Sequence, residues 1–245
     1  MTAAPTARIK GEMSRLSVVP VDRLDLAYAP WRWPFADARR AEIDAHFAER
    51  RRRTPEIWNG RVLLMNTCEL AGRTLSGSFF ETGFAEFIAW RDWGAPDASV
   101  VNCFALGALR AADGAFLLGV MASHTSAAGR IYFPAGTPDP EDVADGRVDL
   151  EANVMREVIE ETGLGAADVV VAPDWQVVRT GQRIALTKLM QARDPADELR
   201  ARILRHLAGE TQPELADIRI VRGPDDLDPN MPDFVTAFLA HVWNK

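Results

Sequence analysis

Apolar residues recur along this chain with two periods, and the switches between them divide it into elements. From Leu150 to Thr162 the period is helical: Leu150, Val154 and Val158 fall four apart with Met155 and Ile159 beside them, which makes one wide apolar face. Asp149 is a good N-cap, Glu151 sits in the first turn and Gly163 supplies a left-handed stop, so the spacing predicts a helix over 150–162. Further helices are expected over 36–53, with Ile43, Phe47 and Ala48 inward, and over 83–93, carrying Phe84, Phe87, Ile88 and Trp90. Two more are expected over 196–208 and 232–243, the last with Phe234, Phe238, Leu239 and Val242 inward. Strand patterns cover 16–27, 61–73, 74–80, 100–110, 115–122, 130–133, 169–179, 183–192 and 218–221. Asp113-Gly114 marks a hairpin between two of these, and Thr180-Gly181 a turn between two others. Residues 1–15 carry little apolar pattern and are expected to fray, while Trp93-Gly94-Ala95-Pro96 suggests a boundary near residue 97.

At 245 residues and 47% hydrophobic, the chain can bury a substantial core as one or two domains. A net charge of -7 argues against a surface built for nucleic acid. The arginine run Arg50 to Arg53 is the local exception; it ends an expected helix, where cations suit the negative end of the dipole, so it reads first as a solvated helix end and second as a phosphate patch. Cys68 and Cys103 have neither metal-ligand nor redox-motif spacing, so reduced thiols are expected. The first residues lack the apolar centre of a signal peptide, and no apolar run reaches the roughly 18 residues of a membrane span. A cytoplasmic protein without a membrane partner is the resulting expectation.

The helix over 150–162 also carries candidate chemistry. Glu157 and Glu161 are four apart and Glu160 is three from Glu157, so three carboxylates project from one stripe. Like charges at that spacing repel by roughly 0.2–0.5 kcal/mol per pair, so something positive should hold them together. Arg156 can offset one charge, four residues from Glu160. Magnesium takes oxygen ligands, often one or two carboxylates plus substrate phosphates, and would suit such a stripe beside a phosphate cleft. The plainer alternative is a solvated face of an ordinary helix.

The neighbours of the acids change that balance. Arg156-Glu157-Val158-Ile159-Glu160-Glu161-Thr162-Gly163-Leu164 resembles, without a mismatch, the second half of the Nudix box, G-x5-E-x7-R-E-U-x-E-E-x-G-U, with U aliphatic. Phe133-Pro134-Ala135-Gly136 resembles the strand end and glycine turn that open it. The first half departs from the pattern. Val148 stands where the box has glutamate and Asp142 where it has glycine; with Gly136 as the opening glycine, the loop is six residues longer. The missing glutamate normally helps to fix the arginine, which leaves Arg156 to Asp149 or Glu160.

The resemblance implies an α/β Nudix fold over residues 98–245, a mixed β-sheet sandwiched between helices, preceded by an N-terminal α+β extension over 1–97. It implies hydrolysis of the diphosphate linkage of a nucleoside diphosphate derivative, with Mg2+ as cofactor and Mn2+ as a substitute. Glu157 and Glu161 would be the principal metal ligands, Glu160 would hold an additional ion, and the Ala135 carbonyl would complete a shell. Arg156 would orient Glu157, and a later loop would add a glutamate, Glu214 first and Glu210 second. Pro55-Glu56-Ile57-Trp58-Asn59-Gly60, Trp93-Gly94 and the long loop resemble the branch acting on nucleotide sugars such as UDP-glucose. Alternatives are a pyrophosphatase for ADP-ribose or a dinucleotide polyphosphate, and a non-catalytic nucleotide-binding module, which the Val148 departure favours. Nudix proteins often pair, and the aromatic-rich first hundred residues offer a surface for a homodimer.

From the residues themselves, Arg130, Arg179 and Arg183 are candidate phosphate contacts, because a guanidinium fork suits phosphate oxygens; surface salt bridges or a turn contact are the alternatives. His124 is a weaker candidate. The aromatics of 83–93 could wall a substrate, though packing is the commoner use of such a stripe.

Overall fold

The structure, a computed structural model, describes residues 16–244. The expectation of a frayed segment over 1–15 lies outside the described residues.

Two short strands, β1 (Val18–Val21) and β2 (Arg23–Tyr28), precede two helices, α1 (Pro34–Ala38) and α2 (Arg40–Arg53). The single helix expected over 36–53 is broken at Arg39, whose backbone (φ -117°, ψ 22°) closes α1 while its guanidinium lies 5.5 Å from the Phe35 ring and 5.6 Å from Trp93. The long hairpin β3 (Arg61–Ala71) and β4 (Thr74–Gly83) leads into α3 (Phe84–Asp92). Then come β5 (Asn102–Arg110), β6 (Phe116–Met121), β7 (Ile131–Tyr132), β8 (Val143–Ala144) and β9 (Arg147–Val148). The remainder is α4 (Leu150–Thr162), β10 (Val169–Thr180), β11 (Arg183–Ala192), α5 (Ala196–Leu207), β12 (Leu215–Val221) and α6 (Asp233–Trp243).

The strands form two mixed sheets. One runs β1-β10-β11-β5-β6-β12 with β7 on β6, and its β11–β5 pair is parallel; the other runs β3-β4-β2-β9-β8, with β2 and β4 parallel. Alternation along the strands sorts side chains into layers. On β5, Cys103, Ala105 and Leu109 enter a core shared with α4, α5 and the other sheet, whereas Leu106 and Ala108 pack toward α6. On β3, Leu63 and Met65 enter that same shared core, while Val62 and Leu64 pack with α2 and α3. The larger sheet therefore lies between helices, as expected.

Each sheet borrows a strand from the other half of the sequence. β1 pairs with β10 in the larger sheet, Val18 opposite Val178, and β9 pairs with β2 in the smaller one, Ala27 opposite Arg147. The β8–β9 hairpin contains the extra residues of the long loop, and its turn is Asp145-Gly146 with φ 49° and 72°. Strands of two residues carry no period to read, so this hairpin was not foreseen from the sequence.

Candidate active site

The acidic helix α4 has the bounds that its caps predict. The Asp149 carboxylate accepts from the Glu151 and Ala152 amides at 3.1 and 2.9 Å, and Gly163 ends the helix at φ 68°. His206 of α5 packs so tightly there that a Cβ on Gly163 would lie 2.8 Å from its ring, and its Nε2 is 2.9 Å from the Glu160 carbonyl oxygen. Both ends of α4 are thus held.

Arg156 is fixed by a residue that the sequence pattern did not suggest. Its Nη2 donates to Asp142 Oδ1 at 2.9 Å, and its Nη1 lies 3.1 Å from Glu157 Oε1 and 3.7 Å from Glu160 Oε2. Asp149, one of the two expected partners, is occupied as the N-cap; Glu160, the other, is a secondary partner. The Asp142 side chain is 4% exposed and its Oδ2 accepts from the Asp139 amide and from Asn153 Nδ2, each at 2.9 Å. Asp142 closes a single 3-10 turn over Pro140–Asp142, capped by Asp139. An aspartate six residues upstream of Val148 thus supplies the carboxylate that the box pattern would place at 148. Charge-assisted hydrogen bonds of this kind are strong when both partners are shielded from water. Burial lowers the Arg156 pKa, but the Asp142 hydrogen bond and the Glu157 charge outweigh it, and the net shift is upward.

The three glutamates of the stripe sit at different depths. Glu161 is 4% exposed, Glu157 is half-buried and Glu160 is exposed. Both Glu161 carboxylate oxygens are buried without a hydrogen-bond partner, although the Ala135 amide is near enough to favour the ionised form. Burial drives the Glu161 pKa well up, and the charges of Glu157 and Glu214 add to it. Burial likewise pushes Glu157 up to about 7, against the pull of Arg156 and with the push of Glu160 and Glu214. Glu214, just before β12, is open to solvent yet surrounded enough for burial to raise it, while nearby His124 lowers it. Glu210, the second choice for the loop acid, instead pairs with His206 at 3.3 Å.

The strand-end turn completes this corner. A Cβ on Gly136 would lie 2.3 Å from the Glu157 carboxyl carbon, so a side chain there would push that carboxylate aside. The Pro134 carbonyl accepts from the Gly107 amide at 2.9 Å and the Pro138 carbonyl from the Leu63 amide at 2.7 Å, which ties the turn to both sheets.

Beside the turn opens a cleft of about 630 Å³, lined among others by Ala135, Gly136, Arg130, Arg183, Tyr132 and Arg91. Arg130 and Arg183, two of the three candidate arginines, line this cleft, whereas Glu157, Glu160, Glu161 and Glu214 are not among its lining residues. Arg179 is not among its lining residues, and its Nε donates to the Gly181 carbonyl at 3.2 Å, the turn-holding alternative. Phe84 and Phe87 of α3 line the cleft and also belong to the core behind it, so packing and walling are not exclusive. Nothing local in the sequence marks Arg91; it comes to the cleft because α3 lines it together with Ser126, Ala127 and Tyr132.

The donor set fits a divalent cation. Hard cations take carboxylate and carbonyl oxygens, and an unpartnered buried carboxylate is costly unless an opposite charge meets it. Glu157, Glu161 and the Ala135 carbonyl are the groups that would hold the ion. Among the described residues, no three His, Cys, Asp or Glu side chains already converge closely enough to hold one, so binding would need side-chain adjustment.

No protein-family model matches the sequence, and no curated protein matches it. Solved structures resemble it at a distance. RenU, a Nudix hydrolase from M. smegmatis, is 19% identical over 58% of this chain and 82% of its own, with a TM-score of 0.37. The MutT protein from Methanosarcina mazei Go1 is 17% identical over 59% of this chain and 94% of its own, with a TM-score of 0.39. An Ap4A hydrolase from C. elegans is 13% identical over 59% of this chain and all of its own, with a TM-score of 0.41. Scores this low leave the chemistry to rest on the site's own residues.

Proposed function

We propose that this chain is a Nudix-type, divalent-metal-dependent hydrolase that cleaves the diphosphate linkage of a nucleoside diphosphate derivative. The observation that carries the reading is the Glu161 carboxylate, buried with both oxygens unpartnered on the same helix stripe as Glu157, beside an arginine-lined cleft. Burying an uncompensated carboxylate costs several kcal/mol by order of magnitude, roughly 3–5 when a buried pair is broken. A fold that retains such a group is poised to receive a cation.

A bound magnesium or manganese ion would neutralise charge on the phosphoryl oxygens and acidify a bound water. The chain's own part is positioning. Asp142 holds Arg156, Arg156 holds Glu157, and Gly136 lets the turn close on that carboxylate. Glu214 is the candidate to take a proton from the attacking water, and Arg130 and Arg183 are the candidates to grip phosphate oxygens. Within this class the N-terminal cues suggest nucleotide sugars such as UDP-glucose, with ADP-ribose or a dinucleotide polyphosphate as the alternative. A non-catalytic module loses its main support, since Asp142 supplies the carboxylate that Val148 lacks.

Purified protein with magnesium and a panel of UDP-glucose, ADP-ribose and a dinucleotide polyphosphate should release nucleoside monophosphate from at least one. From UDP-glucose the products would be UMP and glucose 1-phosphate. Release from none of them would overturn the proposal, and nucleotide binding indifferent to magnesium and to Glu161→Gln would point to a binding module.

A further inference from the structure

Arg91, Arg130 and Arg183 line the cleft. Arg91 of α3 is 32% exposed at its side chain, and its Nε and Nη2 both donate to Asp92 Oδ1, at 3.2 and 3.1 Å. Asp92 does not serve Arg91 alone. Its Oδ2 lies 3.0 Å from His46 Nε2 and 3.6 Å from Arg50 Nε, and Arg50 also donates to the Ser126 carbonyl at 3.4 Å. Arg183 has a partner in Asp233 at 3.5 Å and lies 5.5 Å from the Phe234 ring. Arg130 is exposed and has no hydrogen bond or ion pair from its guanidinium among the described residues. Three arginines and two aspartates therefore line the cleft, and Arg130 is the arginine among them that no carboxylate pairs with among the described residues.

We infer that Arg91 and Arg130 form an anion subsite on the N-terminal side of the cleft, which takes a phosphate group of the substrate beyond the linkage that the glutamates face. This rests on the hydrolase reading for the word substrate, though not for the subsite itself. Arg91 is partly desolvated and shares Asp92 with His46 and Arg50, Arg130 is exposed and unpaired, and the guanidinium fork of each matches phosphate oxygens. Burial, with the neighbouring charge of Arg50, lowers the Arg91 pKa despite Asp92, a sign that the pairing there is incomplete. Tyr132 feels the charges of Glu161, Glu214 and Glu157 as well as that of Arg91, so the two charged regions adjoin. A neutral hexose offers Arg91 and Arg130 hydroxyl acceptors but no charge, whereas a further phosphate offers both. The subsite therefore moves the choice within the proposed class away from UDP-glucose and toward substrates with an additional phosphate.

Calorimetric titration of inorganic pyrophosphate in EDTA tests the subsite without metal. The wild type should bind, and Arg130→Gln and Arg91→Gln should each weaken binding about tenfold, the loss of one charge-assisted contact. Arg91→Lys should retain part of the affinity, and Arg179→Gln should leave it unchanged. Arg130 is exposed and unpaired, so its variant reads the subsite even if Arg91→Gln fails to fold. With magnesium, kcat/KM for diadenosine tetraphosphate should exceed that for UDP-glucose, and Arg130→Gln should narrow the ratio through KM. Pyrophosphate affinity equal in wild type and Arg130→Gln, or no binding at all, would overturn the inference, as would a preference for UDP-glucose that Arg130→Gln leaves intact. Pyrophosphate binding lost in Arg130→Gln, together with no hydrolysis of any substrate, would leave the subsite standing and remove the hydrolase reading.

Discussion

Glu161 concentrates the cost of this site in one side chain. Its two buried, unpartnered oxygens make the ionised form unfavourable in the metal-free protein, so Glu161→Gln, which keeps the shape and drops the charge, should raise the metal-free melting temperature near neutral pH. The same substitution should lower turnover by about 10²–10³-fold, the loss typical of one preorganised electrostatic group. Thermal melting in EDTA and a magnesium-supported rate, measured on both proteins, check the two halves. Glu157 adds a pH dependence of defined sign. Its carboxyl is raised from 4.5 to about 7 in the folded state, so over that interval the native protein binds more protons than the unfolded chain and stability falls as pH rises. Melting temperatures in EDTA should therefore descend between pH 5 and 8, and Glu157→Gln should make the descent shallower, with the upward-shifted Glu161 and Glu214 supplying the remainder. Asp142 makes a separate prediction: Asp142→Asn should reduce kcat by about 10–100-fold, as outer-shell partners of metal ligands do, with little change in KM. At this scale the sequence was half informative. Glu157, Glu161 and Arg156 stand in a contiguous motif, but Asp142 reaches Arg156 only because the chain folds back through a hairpin, and the sequence offered only an unexplained aspartate in a glycine position.

Among the elements, α4 was the most legible, because its caps, apolar stripe and stop residue are all local and agree with one another. The long sheet strands were legible for the same reason. The β8–β9 hairpin was not, since two-residue strands show no alternation and their pairing with β2 is a tertiary event. The hairpin is also more than a spacer. Arg147 reaches Asp25 at 2.7 Å and the Tyr28 amide donates to the Gly146 carbonyl at 2.8 Å, so the segment between the opening glycine and the acidic helix is stitched to the smaller sheet. The close approaches at either end of the site give an element-level prediction. Gly136→Ala should lower activity because its methyl group would overlap the Glu157 carboxyl, and a crystal structure or metal titration of that variant should show the carboxylate displaced.

For the molecule as a whole, the exchanged strands couple the N-terminal residues to the site. The core that contains the inner face of α4 also contains Leu63, Met65 and Phe79 from the first hundred residues, and α3 supplies one wall of the cleft. Gly94 and Pro96 suggest a boundary near residue 97, but β1 and β9 each pair with a strand from the other side of that position, which local composition does not reveal. Residues 98–245 expressed alone would lack β1 at one edge, the β2 partner of β9, and part of this core. Such a fragment should melt well below the full chain or fail to stay soluble, as scanning calorimetry of the two would show. The most direct test of the central claim is the rate of nucleoside monophosphate release as a function of magnesium concentration, for the wild type and for Glu161→Gln. The account predicts a saturable magnesium dependence in the wild type that collapses in the variant. Release that ignores magnesium, or that Glu161→Gln leaves undiminished, would contradict it.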